Sequence, residues 1–388
     1  MTKMNLMREE VFSLPKLIRE QIPLIDDRIR TQFSFDELLS IQQIVLTGCG
    51  DSYYAGLGSN FFFNKLCGIP TFGLNAMSAG RYFLFDSKPA FPNNPLVMAT
   101  SVSGRVTRTV EAMEMGKHIG ALTVAITGNP EAPLAQASKH VIDCTIPPVP
   151  NPDGVPIPGV RSYRMTLLVH FLFAIHLAEV KEKISMREGD GLRSQLMQTA
   201  DAIEATLEAS EKKVKELVDV FADEKYYVFV GDGPHRATAE FSAAKVIEAA
   251  GLAAYGQDTE EWAHIQYYEN VTPSTPTFVF CSGNRSHDRV VDLVPYMKDI
   301  GRTVVGILSE NCAVEHTHMD HVLSVKGDTT EFFAQMVYPV LPELFSTFLA
   351  QKIGVPSFRT DDPRYTEKGN LRLRDTDPIT PSELEALL

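Results

Sequence analysis

The sequence has no CxxC pair, no HExxH and no complete GxGxxG, and no unbroken run of about 18 apolar residues occurs in it. Each absence closes off a class. Five cysteines (Cys49, Cys67, Cys144, Cys281, Cys312) are an odd number without metal-ribbon spacing, so a disulfide framework is not expected. Four of them sit in or beside apolar runs and read as reduced, buried residues, whereas Cys49 lies in a Gly-rich turn, as a packing residue or a reactive one. The Gly231-Asp232-Gly233 triplet invites a dinucleotide reading but lacks the third glycine. His316, His318 and His321 could ligate a metal, yet they precede a buried strand and no catalytic carboxylate motif surrounds them, so no metal and no cofactor are expected. The chain is short of basic residues (36 against 49 acidic, net charge −13), which removes electrostatic support for broad nucleic-acid binding. The N-terminus has no apolar h-region, and the expectation is a cytoplasmic protein without a membrane span. Trp262, the only tryptophan, reads as packing.

What is present is a repeated grammar. IVLTGCGDSYYAG (Ile44 to Gly56) reads as a buried strand, a Gly-rich turn and a helix start, and LVMATSVSGRVTRT (Leu96 to Thr109) repeats it with Ser101 and Ser103 in the turn. YYVFVGDGPHRATAE (Tyr226 to Glu240) and TFVFCSGNRSHDRV (Thr277 to Val290) repeat it again. The 388 residues, at roughly 100–200 per domain, suit two domains. Strands expected at Ile44–Thr47, Thr71–Leu74, Leu96–Thr100, Leu122–Ile126 and His140–Asp143 alternate with helical patterns. A second series follows at Tyr227–Val230, Ala253–Tyr255, Thr277–Cys281, Thr303–Ile307 and His321–Val325. Alternation of this kind predicts an α/β fold with doubly wound parallel sheets. The N-terminal helical segment Met4 to Gln32 puts Leu14, Ile18, Ile22 and Ile25 on one face, with a break expected at Pro23. Phe332–Ala350 reads as one apolar closing helix, and Pro147 to Gly159 as a loop.

Two features could carry chemistry. A strand that ends in small residues and opens a helix presents backbone N–H groups at a positive helix terminus, where phosphate sits well. The turns at Cys49–Ser52 and Ser101–Gly104 are of this kind, and simple helix capping by serine is the competing reading. The second feature is KVIEAAGLAAYGQDTEEWAH (Lys245 to His264). Glu248 falls at a helix end and His264 on the next helix, for which Asp258 or Thr259 is the N-cap. A carboxylate and an imidazole so presented suit proton transfer between adjacent sugar carbons, or are solvated surface residues.

At these residues the chain resembles the SIS (sugar isomerase) family, in particular the isomerase half of glucosamine-6-phosphate synthase and stand-alone phosphosugar isomerases and deglycases. The family's Cys-Gly-Thr-Ser turn resembles Cys49-Gly50-Asp51-Ser52, with Asp51 a departure. Its Ser-Gln-Ser-Gly-Glu-Thr loop resembles Ser101-Val102-Ser103-Gly104-Arg105-Val106, followed here by Thr107; both serines match, while Gln, Glu and Thr have become Val102, Arg105 and Val106. Val-Ala-Ser resembles Val160-Arg161-Ser162. Lys-x-x-Glu matches Lys245 to Glu248, Glu-x-x-His matches Glu261 to His264, and Pro-Arg-x-x-x-Lys matches Pro363 to Lys368. The usual Gly-Pro after the histidine is replaced by Ile265-Gln266.

The resemblance implies two SIS-type, flavodoxin-like α/β/α sandwich domains, at 35–185 and 186–355. A helical segment (1–34) would precede them and a C-terminal tail (356–388) would lie over the active site. It implies phosphate or sugar binding at Gly50, Asp51, Ser52, Ser101, Ser103, Thr107, Val160, Ser162 and Lys245. Catalysis is implied at Glu248 (proton shuttle), His264 (ring opening) and Lys368 (carbonyl engagement). The implied activity is C1/C2 proton transfer on a hexose or amino-hexose 6-phosphate, with deglycase or deaminase chemistry, or a non-catalytic sensor, as alternatives. A homodimer with shared sites is implied, because the synthase takes its histidine from the partner subunit. The sequence carries no glutamine-hydrolysing domain, so the full synthase reaction is not expected.

Overall fold

The computed structural model describes residues 5–89, 91–269, 271–283, 285–312, 318–366 and 376–388. The chain divides into two compact units. One comprises Leu17–Pro148, Arg161–Met197 and the described chain end 376–388; the other comprises Val149–Val160, Gln198–Thr366 and the described residues 5–16.

Two helices open the chain, α1 (Leu6–Phe12) and α2 (Leu14–Gln32). The expected break at Pro23 does not occur, for α2 runs through it. Leu14, Leu17, Ile18, Ile22, Ile25 and Ile29 form one buried stripe, and that burial outweighs the amide bond a proline cannot donate. A short α3 (Phe35–Ser40) is closed at its start by a capping box of Ser34 and Glu37. The first sheet follows: β1 (Ile44–Gly48), α4 (Asp51–Cys67), β2 (Thr71–Asn75), β3 (Asn93–Thr100), α5 (Thr107–His118), β4 (Ala121–Thr127), α6 (Pro133–Gln136) and β5 (His140–Asp143). Strand order is β2-β1-β3-β4-β5 and every pairing is parallel, Ile44 opposing Thr71 on one side and Leu96 on the other. All five residues of β1 are buried, as a parallel strand covered on both faces requires. Between β2 and β3 lies a π-helical turn, Ser78–Leu84, which the sequence pattern does not announce. Helix α7 (Arg161–Val180) completes this unit's core.

The long α8 (Met186–Phe221) leads to the second sheet. It is built from β6 (Tyr226–Val230), α9 (Pro234–Ala250), β7 (Ala253–Gln257), α10 (Thr259–His264), β8 (Pro276–Cys281), α11 (His287–Asp299), β9 (Thr303–Ser309) and β10 (His321–Val325). Its order, β7-β6-β8-β9-β10, is the same topology with all strands parallel. The expected single helix Phe332–Ala350 is divided into a 3₁₀ turn, α12 (Ala334–Val337) and α13 (Val340–Ile353), with Pro339 at the start of α13. The chain ends in α14 (Pro363–Thr366) and α15 (Pro381–Glu385).

Arg161–Val180 and Glu331–Ile353 are each long and apolar enough to cross a membrane by length and composition, although charged residues interrupt both and neither is an unbroken apolar run. Their apolar windows are 89% and 94% buried, so core packing accounts for the composition.

The two sheets share a device at their strand ends. Gly50 (φ 56°, ψ −128°) precedes α4 and Gly233 (φ 56°, ψ −126°) precedes α9, a backbone region open essentially to glycine alone. A Cβ at Gly50 would meet nothing within 4 Å, so Gly50→Ala isolates backbone strain from clash. It should lower unfolding stability by about 1–3 kcal/mol, read from urea melts; a loss below a few tenths would show that the turn relaxes freely.

Candidate active site

In open parallel sheets ligands meet the carboxyl ends of strands beside the switch in strand order, here between β1 and β3 and between β6 and β8. The turn after β1 is tight, since a Cβ on Gly48 would lie 2.6 Å from Ser52 Cβ. Cys49 and Gly50 are exposed and Asp51 and Ser52 half-buried in the first turn of α4. The turn after β3 is held by the Gly104 amide donating to Ser101 O (2.9 Å) and the Ser101 amide donating to Ile126 O (3.1 Å). Ser103 Oγ accepts from the Arg105 amide at 3.3 Å, and Thr107, buried, opens α5. Neither Gly50 nor Val106, the two N-cap residues, makes a side-chain cap bond, so serine capping does not explain these turns. The buried hydroxyl of Ser101 has no hydrogen-bond partner among the described residues. A buried polar atom without a partner is costly, and a ligand oxygen would satisfy it. Uncapped helix starts flanked by glycine and hydroxyl residues are chemically suited to an anion. Arg105 is exposed beside them. Val160 is buried and Ser162, in the first turn of α7, half-buried.

The carboxylate stands in the other unit. Lys245 and Glu248 lie one turn apart on α9, three residues before its left-handed Gly251 cap. Lys245 is wholly buried, its Nζ 2.5 Å from Glu248 Oε2, 3.3 Å from Gly159 O and 4.6 Å from the Phe241 ring centroid. Glu248 keeps 27% of its side chain exposed. A buried ammonium thus fixes a carboxylate whose outer part reaches solvent, the arrangement a positioned proton shuttle needs. Asp258 caps α10 by accepting from the Glu261 amide at 2.8 Å, as expected from sequence. His264 ends that helix with its side chain 74% exposed and Nε2 3.9 Å from Glu260 Oε2. Beside it in sequence, Ile265 and Tyr268 are also strongly exposed.

At the turn after β6, His235 takes the place that Ser52 has after β1, and the Asp232 carboxylate accepts from the Thr259 amide and hydroxyl at 3.0 and 2.9 Å. Burial pushes the Asp232 carboxyl upward. This turn is therefore internally bonded and is not a copy of the serine turns. Lys368 and His316 lie outside the described residues. His321 is half-buried with its ring edge-on to Phe221.

Glu111 is a polar centre that no motif flagged. Nearly buried on α5, it accepts from Arg81 Nε (2.6 Å) and the Ile379 amide (3.0 Å) and pairs with Arg108. Burial pushes its carboxyl upward, and the Arg81 bond, the Ile379 amide and the two guanidinium charges outweigh that to hold it below the usual range. It fixes the chain end, whose Leu384 joins the core of that unit.

Residues 37–175 match the family model described as SIS domain. The chain is 26% identical over 378 residues to the isomerizing glutamine–fructose-6-phosphate aminotransferase of Gloeobacter violaceus, covering 94% of this chain and 58% of that protein. Against the protein of the same name from Thermococcus kodakarensis the values are 22%, 89% and 55%. The chain thus spans little more than half the length of these curated relatives. Among solved structures, the C-terminal domain of glucosamine-fructose-6-phosphate aminotransferase from Francisella tularensis superposes with a TM-score of 0.77 at 16% identity, covering 91% of this chain and 97% of that one. Glucosamine-6-phosphate deaminase from Thermotoga maritima superposes at 0.67 with 17% identity, covering 90% and 95%. The matched span lies across the first of two identically ordered parallel sheets, so this part of the chain is similar to the SIS domain, and the likeness in fold extends over both sheets.

Proposed function

We propose that the chain is a phosphosugar isomerase acting on a hexose or amino-hexose 6-phosphate. The observation that carries this reading is the Lys245–Glu248 pair, a mostly buried carboxylate with an exposed edge, fixed by a buried ammonium near the end of α9. The uncapped helix starts with the partnerless Ser101 hydroxyl support the phosphate part. In the proposed reaction the phosphate is held by Gly50, Asp51 and Ser52 with Ser101, Ser103 and Thr107, and the sugar by Val160 and Ser162. His264 assists ring opening and Lys368 engages the open-chain carbonyl. Glu248 takes a proton from C2, the electron pair moves into an enediol or enediolamine, and the same carboxyl returns the proton to C1. Lys245 acts as the positioning residue for Glu248.

A homodimer in which His264 serves the partner's site fits the exposure of His264, Ile265 and Tyr268. The likeness to a glucosamine-6-phosphate deaminase favours a second reading, in which the same proton transfer is followed by loss of an amine. A ¹H and ³¹P NMR time course in D₂O tests both, with fructose 6-phosphate, glucosamine 6-phosphate and a fructosamine 6-phosphate conjugate. Deuteration at C1 or C2 of one compound is the expected result. Conversion of the nitrogen-bearing compounds alone would favour the deaminase or deglycase. Line broadening without exchange or conversion would overturn the enzyme reading in favour of a sensor.

A further inference from the structure

The strand ends of the second sheet carry a different chemistry from those of the first. Where β3 runs into a serine turn, β8 ends at Cys281, and α11 opens six residues later at His287. Parallel pairing sets Cys281 opposite Leu308 of β9, which brings Cys312, just beyond β9, alongside. Cys312 Sγ lies 3.7 Å from Cys281 Sγ and 3.8 Å from His287 Nδ1, and the three donor atoms all fall within 4.8 Å of one another. Both cysteines are buried and His287 is half-buried. The support is rigid. Cys312 is held by its amide donating to Ser309 O at 2.9 Å, and Gly283, at φ 79°, packs against it.

We propose that Cys281, His287 and Cys312 form a site for zinc, with a fourth position left to solvent or an exogenous ligand. The dimensions fit. Tetrahedral zinc with bonds of about 2.3 Å to sulfur and about 2.0 Å to nitrogen has sulfur–sulfur edges of roughly 3.8 Å and sulfur–nitrogen edges of roughly 3.5 Å. Two thiolates and an imidazole are donors that zinc favours over magnesium or calcium. Three protein ligands, at the end of β8, the start of α11 and just beyond β9, would tie these segments together at the ligand-facing end of the sheet. Zinc takes cysteine as the thiolate, and here the Cys312 thiol donates to Cys281 Sγ at 3.7 Å. Binding is therefore Zn²⁺ plus two thiols giving a zinc dithiolate and two protons, with the imidazole adding as a neutral donor. No oxidant is needed, and affinity rises with pH.

Cobalt(II) titration of the reduced full chain under anaerobic conditions tests the site. One equivalent should bind with the intense thiolate-to-cobalt charge-transfer absorption of a tetrahedral site, and zinc should displace it. Cys281→Ser and Cys312→Ser should abolish the band. His287→Gln, at a half-buried helix start, should weaken cobalt binding by about tenfold or more while leaving the thermal melt of the metal-free protein in place. Cys49→Ser, in the other unit, should leave the band unchanged. Absence of the band in the intact chain, its survival in either buried-cysteine variant, or its loss with Cys49→Ser would each overturn the proposal. So would formation of a Cys281–Cys312 disulfide in air by protein that binds no cobalt when reduced.

Discussion

Glu248→Gln should lower kcat by about 10³-fold or more while leaving sugar-phosphate affinity within roughly twofold. Gln has the same shape and its amide oxygen can still accept from Lys245 Nζ, so the variant keeps the 2.5 Å contact that fixes this side chain and loses only the group that carries the proton. The split between kcat and affinity is the informative part, because a structural role for Glu248 would disturb both. Deuterium incorporation from D₂O reads the proton step and ³¹P line width reads binding. Retained incorporation would remove Glu248 from the proposed chemistry. The same variant tests subunit sharing. His264 carries 74% exposure, and His264→Ala should be nearly inactive as well. Mixing the two dead variants should restore roughly a quarter of wild-type activity if a dimer pairs Glu248 of one copy with His264 of the other, since half the dimers are mixed and each has one intact site. No recovery after subunit exchange would place both groups in one chain.

Much of the architecture was legible because parallel strands announce themselves. β1, β3, β6 and β8 are apolar runs that stop at glycine or small polar residues, and their observed ends differ from the expected ones by a residue or a few. The failures have local causes. Pro23 was read as a break because a proline withholds an amide, but a six-residue buried stripe holds α2 straight through it. The π-turn Ser78–Leu84 owes its place to tertiary packing, with Gly80 set so close to Ala112 that a Cβ would lie 3.0 Å from that residue's Cα. Of the candidate site, Lys245 and Glu248 were legible because a spacing of three on one helix forces proximity. The serine turns were legible through their glycines. The Cys281–His287–Cys312 group was not, because Cys312 reaches its partners only through the β8–β9 register, which no local spacing encodes. Glu111 was missed for the same reason: Arg81 and Ile379 come to it from distant parts of the chain.

Acidification from pH 7 to pH 5 should cost each unit about 2 kcal/mol through one buried histidine apiece. His170, on α7, is buried with its Nδ1 2.8 Å from Ser59 Oγ, and burial drives its pKa from 6.5 down to about 3 against a smaller opposing push from the Ala55 backbone. His235, on α9, is buried between Phe280 and Tyr338, and burial alone drives it from 6.5 to about 4. Both folded-state values lie below the unfolded value, so the unfolded chain takes up protons first. The neutral-ring contribution is whole above pH 6.5 and drains by about 1.4 kcal/mol per pH unit and per histidine below it, until the folded pKa is reached. Paired carboxylates follow later. Glu37 is displaced upward by burial but pulled further down, to about 2, by His140, Lys139 and Ser34, so its share is present above the ordinary carboxylate range and is lost only as pH falls toward 2. The histidine contribution drains from pH 6.5 down to about 4 for His235 and about 3 for His170, and the Glu37 loss begins only below pH 4.5, so the range from pH 7 to pH 5 reads the histidines alone of these three groups. Urea melts at pH 7, 6 and 5 should show a falling midpoint with unchanged slope. His170→Gln and His235→Gln, each less stable at pH 7, should flatten that fall in the unit that carries them. A midpoint that stays level from pH 7 to pH 5 in the unsubstituted protein would mean that water or a partner group reaches these rings, and the buried neutral histidines would cease to be the acid-sensitive points of the fold.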